Sequence, residues 1–327
     1  MSQAMIRARA ITPEACDESF RVPFLAAQGR LSEHQVPALA GVLAEDARLL
    51  VFEFIKEEKS VGYVVVKVRH KILADVQFGP VVKNPDDFVP CVNALKGVLR
   101  KRGLLLLRIM PPFGVPDYPG GEGHFNWATS VVDLDKSEDD ILKSFSPNHR
   151  QSIKKALQAG IAIQMIAEHE LEQYAKGHVE MFTRRGILRN IPETLRLVQG
   201  IHKLSKSAME APFILTARQE TDIILGGAIF LRSGDTCTYY HGFAERGNPP
   251  LPVLHSLIWE AMKLARSRGC TRFDLCGISL DADDAQLKAV NDFKRWFRGT
   301  LIQNPPTVVV GLFPFVAPLL RLMKKRI

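Results

Sequence analysis

Within residues Thr236 to Gly299, Thr238-Tyr239-Tyr240-His241-Gly242, then Val253 to Ser267, then Arg272-Phe273-Asp274-Leu275-Cys276-Gly277-Ile278 form one stretch whose reading decides the fold. The outer pieces are rich in aromatic and β-branched residues and read as strands. The middle piece is an amphipathic helix, reached through the loop Phe243 to Pro252 and stopped by Gly269. Strand, helix, strand in this order is a crossover unit that places two neighbouring strands parallel. An acidic loop and a short helix, Ala285 to Arg298, complete the stretch at Gly299, and that helix carries Phe293-Lys294-Arg295-Trp296-Phe297. Chemistry is expected here.

The first half of the chain echoes this pattern. A hairpin (Leu49 to Ile55, Gly62 to Val68) and a strand (Ile72 to Phe78) lead into Gly79-Pro80-Val81. A helix, Pro85 to Arg102, ends at Gly103, and Leu104 to Ile109 is the strand after it. Gly79 and Gly103 stand to the first helix as Gly242 and Gly269 stand to the second. Such self-similarity points to duplication of one α/β unit. The remaining helices are Asp139 to Phe145, Asn148 to Ala159 capped by Ser146-Pro147, Glu168 to Arg185 and Pro192 to Lys206. Phe213 to Arg218 and Ile223 to Leu231 form a second hairpin. The reading is an α/β chain with mixed sheets in two tandem domains, residues 1–160 and 161–327.

Composition narrows the class. The 327 residues suffice for two cores, and 46% apolar residues exclude a disordered chain. The net charge of +8 suits a polyanionic partner without requiring one. Five scattered cysteines without a CxxC pair, and nine histidines without ligand spacing, argue against a disulfide framework and a zinc site, so no metal is expected. No G-x-G-x-x-G or G-x-x-x-x-G-K-[ST] loop stands at a strand–helix turn, which sets aside dinucleotide and P-loop chemistry. Arg7 and Arg9 are followed by no apolar signal segment, and no run of eighteen apolar residues occurs, so the expected location is the cytoplasm. The tail, Val308 to Leu322 followed by Lys324-Lys325-Arg326, has the apolar-then-basic form of a peripheral contact with an anionic membrane face, but a last strand and a docked helix with a solvated basic end is the favoured reading.

Several segments, in order, resemble one family. They are Phe78-Gly79-Pro80-Val81, Leu107-Arg108-Ile109, Arg150-x-x-Ile153-x-Lys155-Ala156 with Gly160, Gly226-Gly227-Ala228, and Tyr239-Tyr240. Leu251-Pro252 with Leu254 and Trp259, Phe273-Asp274-x-x-Gly277-Ile278, and Phe293-Lys294-x-x-Phe297 follow. Together, over roughly residues 50 to 300, they resemble the FemABX-type peptidyltransferases, built from two GNAT-like acyltransferase folds in tandem. The resemblance implies transfer of an aminoacyl group from aminoacyl-tRNA to an amine of a peptidoglycan precursor. Related proteins act more loosely as N-acyltransferases on envelope or polysaccharide precursors. It also implies that the Phe293-Lys294 pair lies near the reacting ester. The chain lacks the long two-helix charged arm of the best-known members, and Arg298 stands between Phe297 and Gly299.

The candidate site residues each have a bland alternative. Leu287, Val290, Lys294 and Phe297 share one helical face, and a lysine in an apolar stripe needs a partner or a task. Its ammonium suits the oxyanion of an attacked ester; snorkelling or pairing with Asp274 is the alternative. Asp274 is read as orienting Lys294 or the attacking amine, or as a salt-bridge partner. Tyr239, Tyr240 and His241 lie where parallel strands of a GNAT-like fold splay, placed to bind donor or pass a proton, or else buried with satisfied hydrogen bonds. Arg108 and Arg150 are candidates for phosphate.

The turn before the second central helix, Glu245-Arg246-Gly247-Asn248-Pro249-Pro250-Leu251-Pro252, has three prolines where a CoA loop needs N–H donors. The expectation is therefore no bound cofactor, with aminoacyl-tRNA favoured over acyl-CoA as donor. Three functions stay open: an amide-forming aminoacyl- or acyltransferase acting on an envelope precursor, a CoA-dependent N-acyltransferase, and a non-catalytic precursor-binding protein.

Overall fold

The computed structural model describes residues 5–21, 24, 31–44, 47–119, 122–123, 127–206, 211–219, 223–245, 251–280 and 284–316. In chain order the elements begin with β1 (Arg7–Ile11), β2 (Arg48–Lys56), β3 (Lys59–Arg69), β4 (Leu73–Gln77), β5 (Val81–Val82), α1 (Phe88–Lys101), β6 (Leu106–Met110) and β7 (Glu122–Gly123). They continue with β8 (Trp127–Asp133), α2 (Glu138–Ser144), α3 (Pro147–Gln158), β9 (Ala162–Met165), α4 (Leu171–Arg184) and α5 (Ile191–Ser205). The last are β10 (Phe213–Arg218), β11 (Gly226–Ser233), β12 (Thr236–Ala244), α6 (Val253–Ser267), β13 (Arg272–Ser279), α7 (Ala285–Arg295), β14 (Thr300–Gln303) and β15 (Val308–Gly311).

Two compact units result, Met1–Trp127 with Gln303–Ile327, and Ala128–Ile302. The first holds a mixed sheet in the order β1-β2-β3-β4-β6-β15-β7, with β5 beside β3. The second holds β14-β8-β13-β12-β11-β10-β9. In each unit the central helix, α1 or α6, buries one face on its own sheet. Val92, Leu95 and Leu99 join Phe52, Val64 and Leu107 in one core, and Leu257, Ile258 and Met262 join Phe230 and Phe273 in the other. Each such side chain contributes about 2 kcal/mol when fully buried. Gly103 and Gly269 end these helices with φ of 75° and 84°, a left-handed turn that a side chain would oppose.

The expected echo is therefore real, but the boundary at residue 160 is corrected. α2 and α3 precede it, yet Phe145, Ile153 and Ala156 pack into the core of the second unit with Trp259 and Phe297. The chain also returns to the first unit at its end, where β15 pairs antiparallel with β6, Val308 opposite Ile109. Sequence order cannot show such an exchange, because the pairing partners lie in distant parts of the chain. The short strands β7 and β9 were likewise unexpected. The basic end Lys324-Lys325-Arg326 lies outside the described residues.

Candidate active site

β12 and β13 run parallel and are paired at three positions only, Thr236↔Arg272, Cys237↔Phe273 and Thr238↔Asp274. β12 continues along β11 as far as Ala244, while β13 diverges, so among the described residues the β12–β13 register ends at Thr238↔Asp274. Two irregularities mark the split. β12 bulges between Tyr239, opposite Phe230, and His241, opposite Ile229, leaving Tyr240 as the extra residue. On β13, Cys276 takes a left-handed backbone with φ of 63°, unusual for a residue with a side chain.

α7 is fastened to the diverging part of β13 by side chains spaced three apart. Asp284 starts the helix, its carboxylate accepting from the N–H groups of Gln286 and Leu287 at 2.6 and 3.0 Å. Asn291 then replaces a strand partner: it accepts from the Ser279 N–H at 3.2 Å and donates to the Ser279 carbonyl at 2.7 Å. Lys294 Nζ donates to the Gly277 carbonyl at 2.6 Å and is only 9% exposed. Burial holds its pKa below the usual lysine value, against the opposing charges of Cys276 and Asp274. The inward face of α7 is thus polar. Leu287, expected on the same buried stripe, is 44% exposed, because the helix presents Asn291 and Lys294 to open strand backbone rather than to an apolar layer.

Asp274 accepts from the Thr129 hydroxyl and from the Cys276 N–H, the latter at 2.7 Å. These contacts tie the backbone at the split to Thr129 of β8. On the other strand, half-buried His241 lies 4.2 Å from the Tyr240 ring and 5.6 and 5.8 Å from His178 and Phe182. Tyr174, His178 and Phe182 stand four residues apart on α4 and so share one face. His178 is 3% exposed, and neither ring nitrogen has a hydrogen-bond partner among the described residues. Burial pushes the His241 imidazole down to about 3, assisted by His178, Arg189, Lys294 and Arg185, and pushes His178 down to about 4. Both are neutral near pH 7. The cluster therefore offers one ammonium with N–H donors to spare and two neutral imidazoles at the point where β12 and β13 part. In a site of low polarity such an ammonium stabilises developing negative charge strongly.

Residues 143–295 match the sequence pattern of the acetyltransferase (GNAT) domain. The crystal structure of FemX superposes with a TM-score of 0.75 at 16% identity, over 97% of this chain and 100% of that one. A tandem GNAT protein from the clavulanic acid biosynthesis pathway does so with a TM-score of 0.59 at 12% identity, covering 94% and 99%. This is the tandem GNAT fold. The split between β12 and β13 is the feature that a GNAT-like fold leads one to expect. The lipid II:glycine glycyltransferase of Staphylococcus epidermidis is 22% identical over 256 residues, and the chain spans 60% of that relative's length.

Within this GNAT fold the named candidates separate. Lys294, Asp274, Tyr240 and His241 come together around the split. Tyr239 points into the core, 5.9 Å from Phe230, where burial pushes its hydroxyl pKa up. Phe293 lies one step round α7 from Lys294 and meets His149 and His255 at 5.4 and 5.1 Å. Arg150 donates to the Lys143 and Phe145 carbonyls at 2.9 and 2.5 Å and so closes the end of α2. Arg108 lies in the first unit, its guanidinium gripping Asp75 at 2.8 and 2.7 Å.

His178, Asn291 and Cys276 were not singled out from sequence. The four-residue spacing Tyr174, His178, Phe182 was the available signal for the first. Asn291, three residues before Lys294, was the signal for the second. Nothing in the sequence marked the backbone of Cys276. Of the proline-filled turn, residues 246–250 lie outside the described residues, as do residues 281–283 of the acidic loop before α7.

Proposed function

We propose that this chain is an amide-forming aminoacyl- or acyltransferase whose acceptor is an amine of a cell-envelope precursor. The observation that carries the reading is the Lys294 ammonium held at the open split of β12 and β13. The acceptor amine attacks the donor carbonyl, Lys294 steadies the oxyanion, the C–N bond forms and the carbon–oxygen bond of the donor ester breaks. We read neutral His241 as a relay that passes the amine's proton directly onto the departing ester oxygen, since its low pKa keeps it from retaining that proton. The name of the glycyltransferase relative, which couples lipid II with glycine, supports an envelope precursor as acceptor and an aminoacyl group as cargo. Aminoacyl-tRNA is the proposed donor, and the proline-filled turn before α6 argues against CoA. Among the described residues no helix is long and apolar enough to cross a membrane, and a working place at the inner membrane face is part of the proposal.

The test is mass spectrometry of amine-bearing envelope precursors after incubation with the protein and either aminoacyl-tRNA or acyl-CoA. A mass increment of one aminoacyl residue, dependent on aminoacyl-tRNA, is the expected result. An increment with acyl-CoA, together with sub-millimolar CoA binding in titration calorimetry, would replace the donor. Binding of precursor without any increment would make the chain a binding protein.

A further inference from the structure

α4 and α5 of the second unit form a helical hairpin whose tip is both apolar and basic. Gly186 turns the chain with φ of 72°. Every residue from Thr183 to Leu188 is exposed, and the aliphatic side chains there have no core to enter: Leu188 is 95% exposed, Ile187 44% and Ile191 36%. A lone exposed leucine is ordinary, but three branched aliphatics within five residues of one convex tip are not. The charges around them are of one sign. From Thr183 to Pro192 the charged residues are Arg184, Arg185 and Arg189, and the nearest acids along the chain are Glu180 and Glu193. The base of the tip is anchored. Arg184 donates to the Ala244 carbonyl at 3.3 Å and sits 3.7 Å from Glu245, and Arg189 stacks 5.4 Å over the Phe182 ring.

We propose that this tip docks on an anionic membrane surface, with Ile187, Leu188 and Ile191 entering the boundary between headgroups and acyl chains while Arg185 and Arg189 meet lipid phosphates. A lipid surface fits better than a protein partner for two reasons. A convex tip of three aliphatic residues supplies far less than the roughly 800 Å² per side of a standard protein interface, whereas shallow insertion needs only such a wedge. The cations of the tip's own segment complement an anionic leaflet, where each basic residue apart from Arg184, which is paired with Glu245, adds attraction. The location gives the docking a purpose. The tip grows from the same helix that presents His178 and Phe182 to His241, and the charges of Arg185 and Arg189 reach His241 itself. Seating the tip would hold the split of β12 and β13 close to the headgroup plane. The proposal stands apart from acyl transfer, because vesicle binding is read whether or not the chain is an enzyme.

The test is co-sedimentation of the full chain with phosphatidylcholine vesicles, with and without phosphatidylglycerol. Binding is expected only with phosphatidylglycerol and should weaken as salt is raised. The double variant Ile187→Asp with Leu188→Asp, and separately Arg185→Glu with Arg189→Glu, should each lower partitioning about tenfold or more. Thermal melting should stay unchanged for the aspartate pair, since neither side chain is buried. Phe315→Asp, at an aliphatic–aromatic exposed site of the first unit (63% exposed), should change partitioning by less than about twofold. Equal binding to neutral vesicles, or binding that survives both double variants, would overturn the proposal. So would binding lost only when Lys324, Lys325 and Arg326 are replaced by glutamate. Failure of the wild-type chain to bind, with Leu188→Asp instead converting an oligomer to a monomer in sedimentation, would make the tip a protein interface.

Discussion

The two units contain the same strand–helix–strand core and open it at different places. In the second unit the parallel pair β12–β13 separates after Thr238↔Asp274, and β12 stays with its antiparallel neighbour β11. In the first unit the parallel pair β4–β6 stays closed through Leu73↔Leu106 to Gln77↔Met110, and the Gly79 N–H extends the contact to the Met110 carbonyl. There β4 leaves its antiparallel neighbour β3 instead, after Lys67↔Asp75. That gap is filled. The Gln35 carboxamide accepts from the Val65 N–H at 2.9 Å and donates to the Gln77 carbonyl at 2.7 Å, so it stands in for a strand between the two. The closed pair is also clamped across its middle, since Asp75 and Arg108 are register partners and an ion pair. The lesson is that duplication copies the scaffold, while a few side chains decide which copy keeps an opening. One copy fills its gap with a glutamine, and the other sets a lysine against the diverging strand.

Lys294→Ala gives the sharpest break. It should lower the transfer rate about 100- to 1000-fold, the usual effect of removing one oxyanion donor. The readout is kcat/KM in the precursor assay alongside a thermal melt. A rate within threefold of wild type in a folded variant would mean that the open copy is no more chemical than the closed one.

Arg108→Ala addresses the clamp. Asp75 is 1% exposed, and removing its main partner should cost about 3 kcal/mol in chemical denaturation, moderated by Arg69 at 3.5 Å. Transfer per folded molecule should be unchanged. A large rise in KM with little loss of stability would return Arg108 to substrate binding and give the first unit a share in the site.

The third prediction concerns pH. His149 is fully buried among Phe145, Phe293, Phe297 and His255, and burial pushes its imidazole down to about 3. The unfolded chain takes up this proton below about pH 6.5 and the folded chain does not, so stability falls as pH drops from that value towards 3. Near pH 5 the loss from this one group is about 2 kcal/mol. His149→Phe should reduce the difference in urea midpoint between pH 7.5 and pH 5. An unchanged difference would show that His149 is not the group that makes the packing of α3 on α6 acid-sensitive.

Much of the scaffold was legible because it rests on local rules. α6 falls where apolar periodicity put it, Ser146 caps α3 by accepting from the His149 N–H at 3.3 Å, and Gly103 and Gly269 stop the helices they were expected to stop. Lys294 was legible as an anomaly, though for an imperfect reason: its neighbour on the buried face is Asn291, not Leu287. His178 was hidden inside a helix that read as core, and the pairing of Arg108 with Asp75, distant in sequence, could not be read along the chain.

The sequence by itself determined the element types, the duplicated unit and the presence of a lysine that demanded an explanation. Periodicity, caps and turn residues act within a few positions of themselves and can be read along the chain. Only the tertiary structure decided that β15 belongs to the first unit, that α2 and α3 belong to the second, and that one parallel pair closes while the other parts. Those outcomes depend on which backbone hydrogen bonds find distant partners, such as Gln35 with Val65 and Gln77, or Lys294 with Gly277. A one-dimensional pattern carries no record of those pairings.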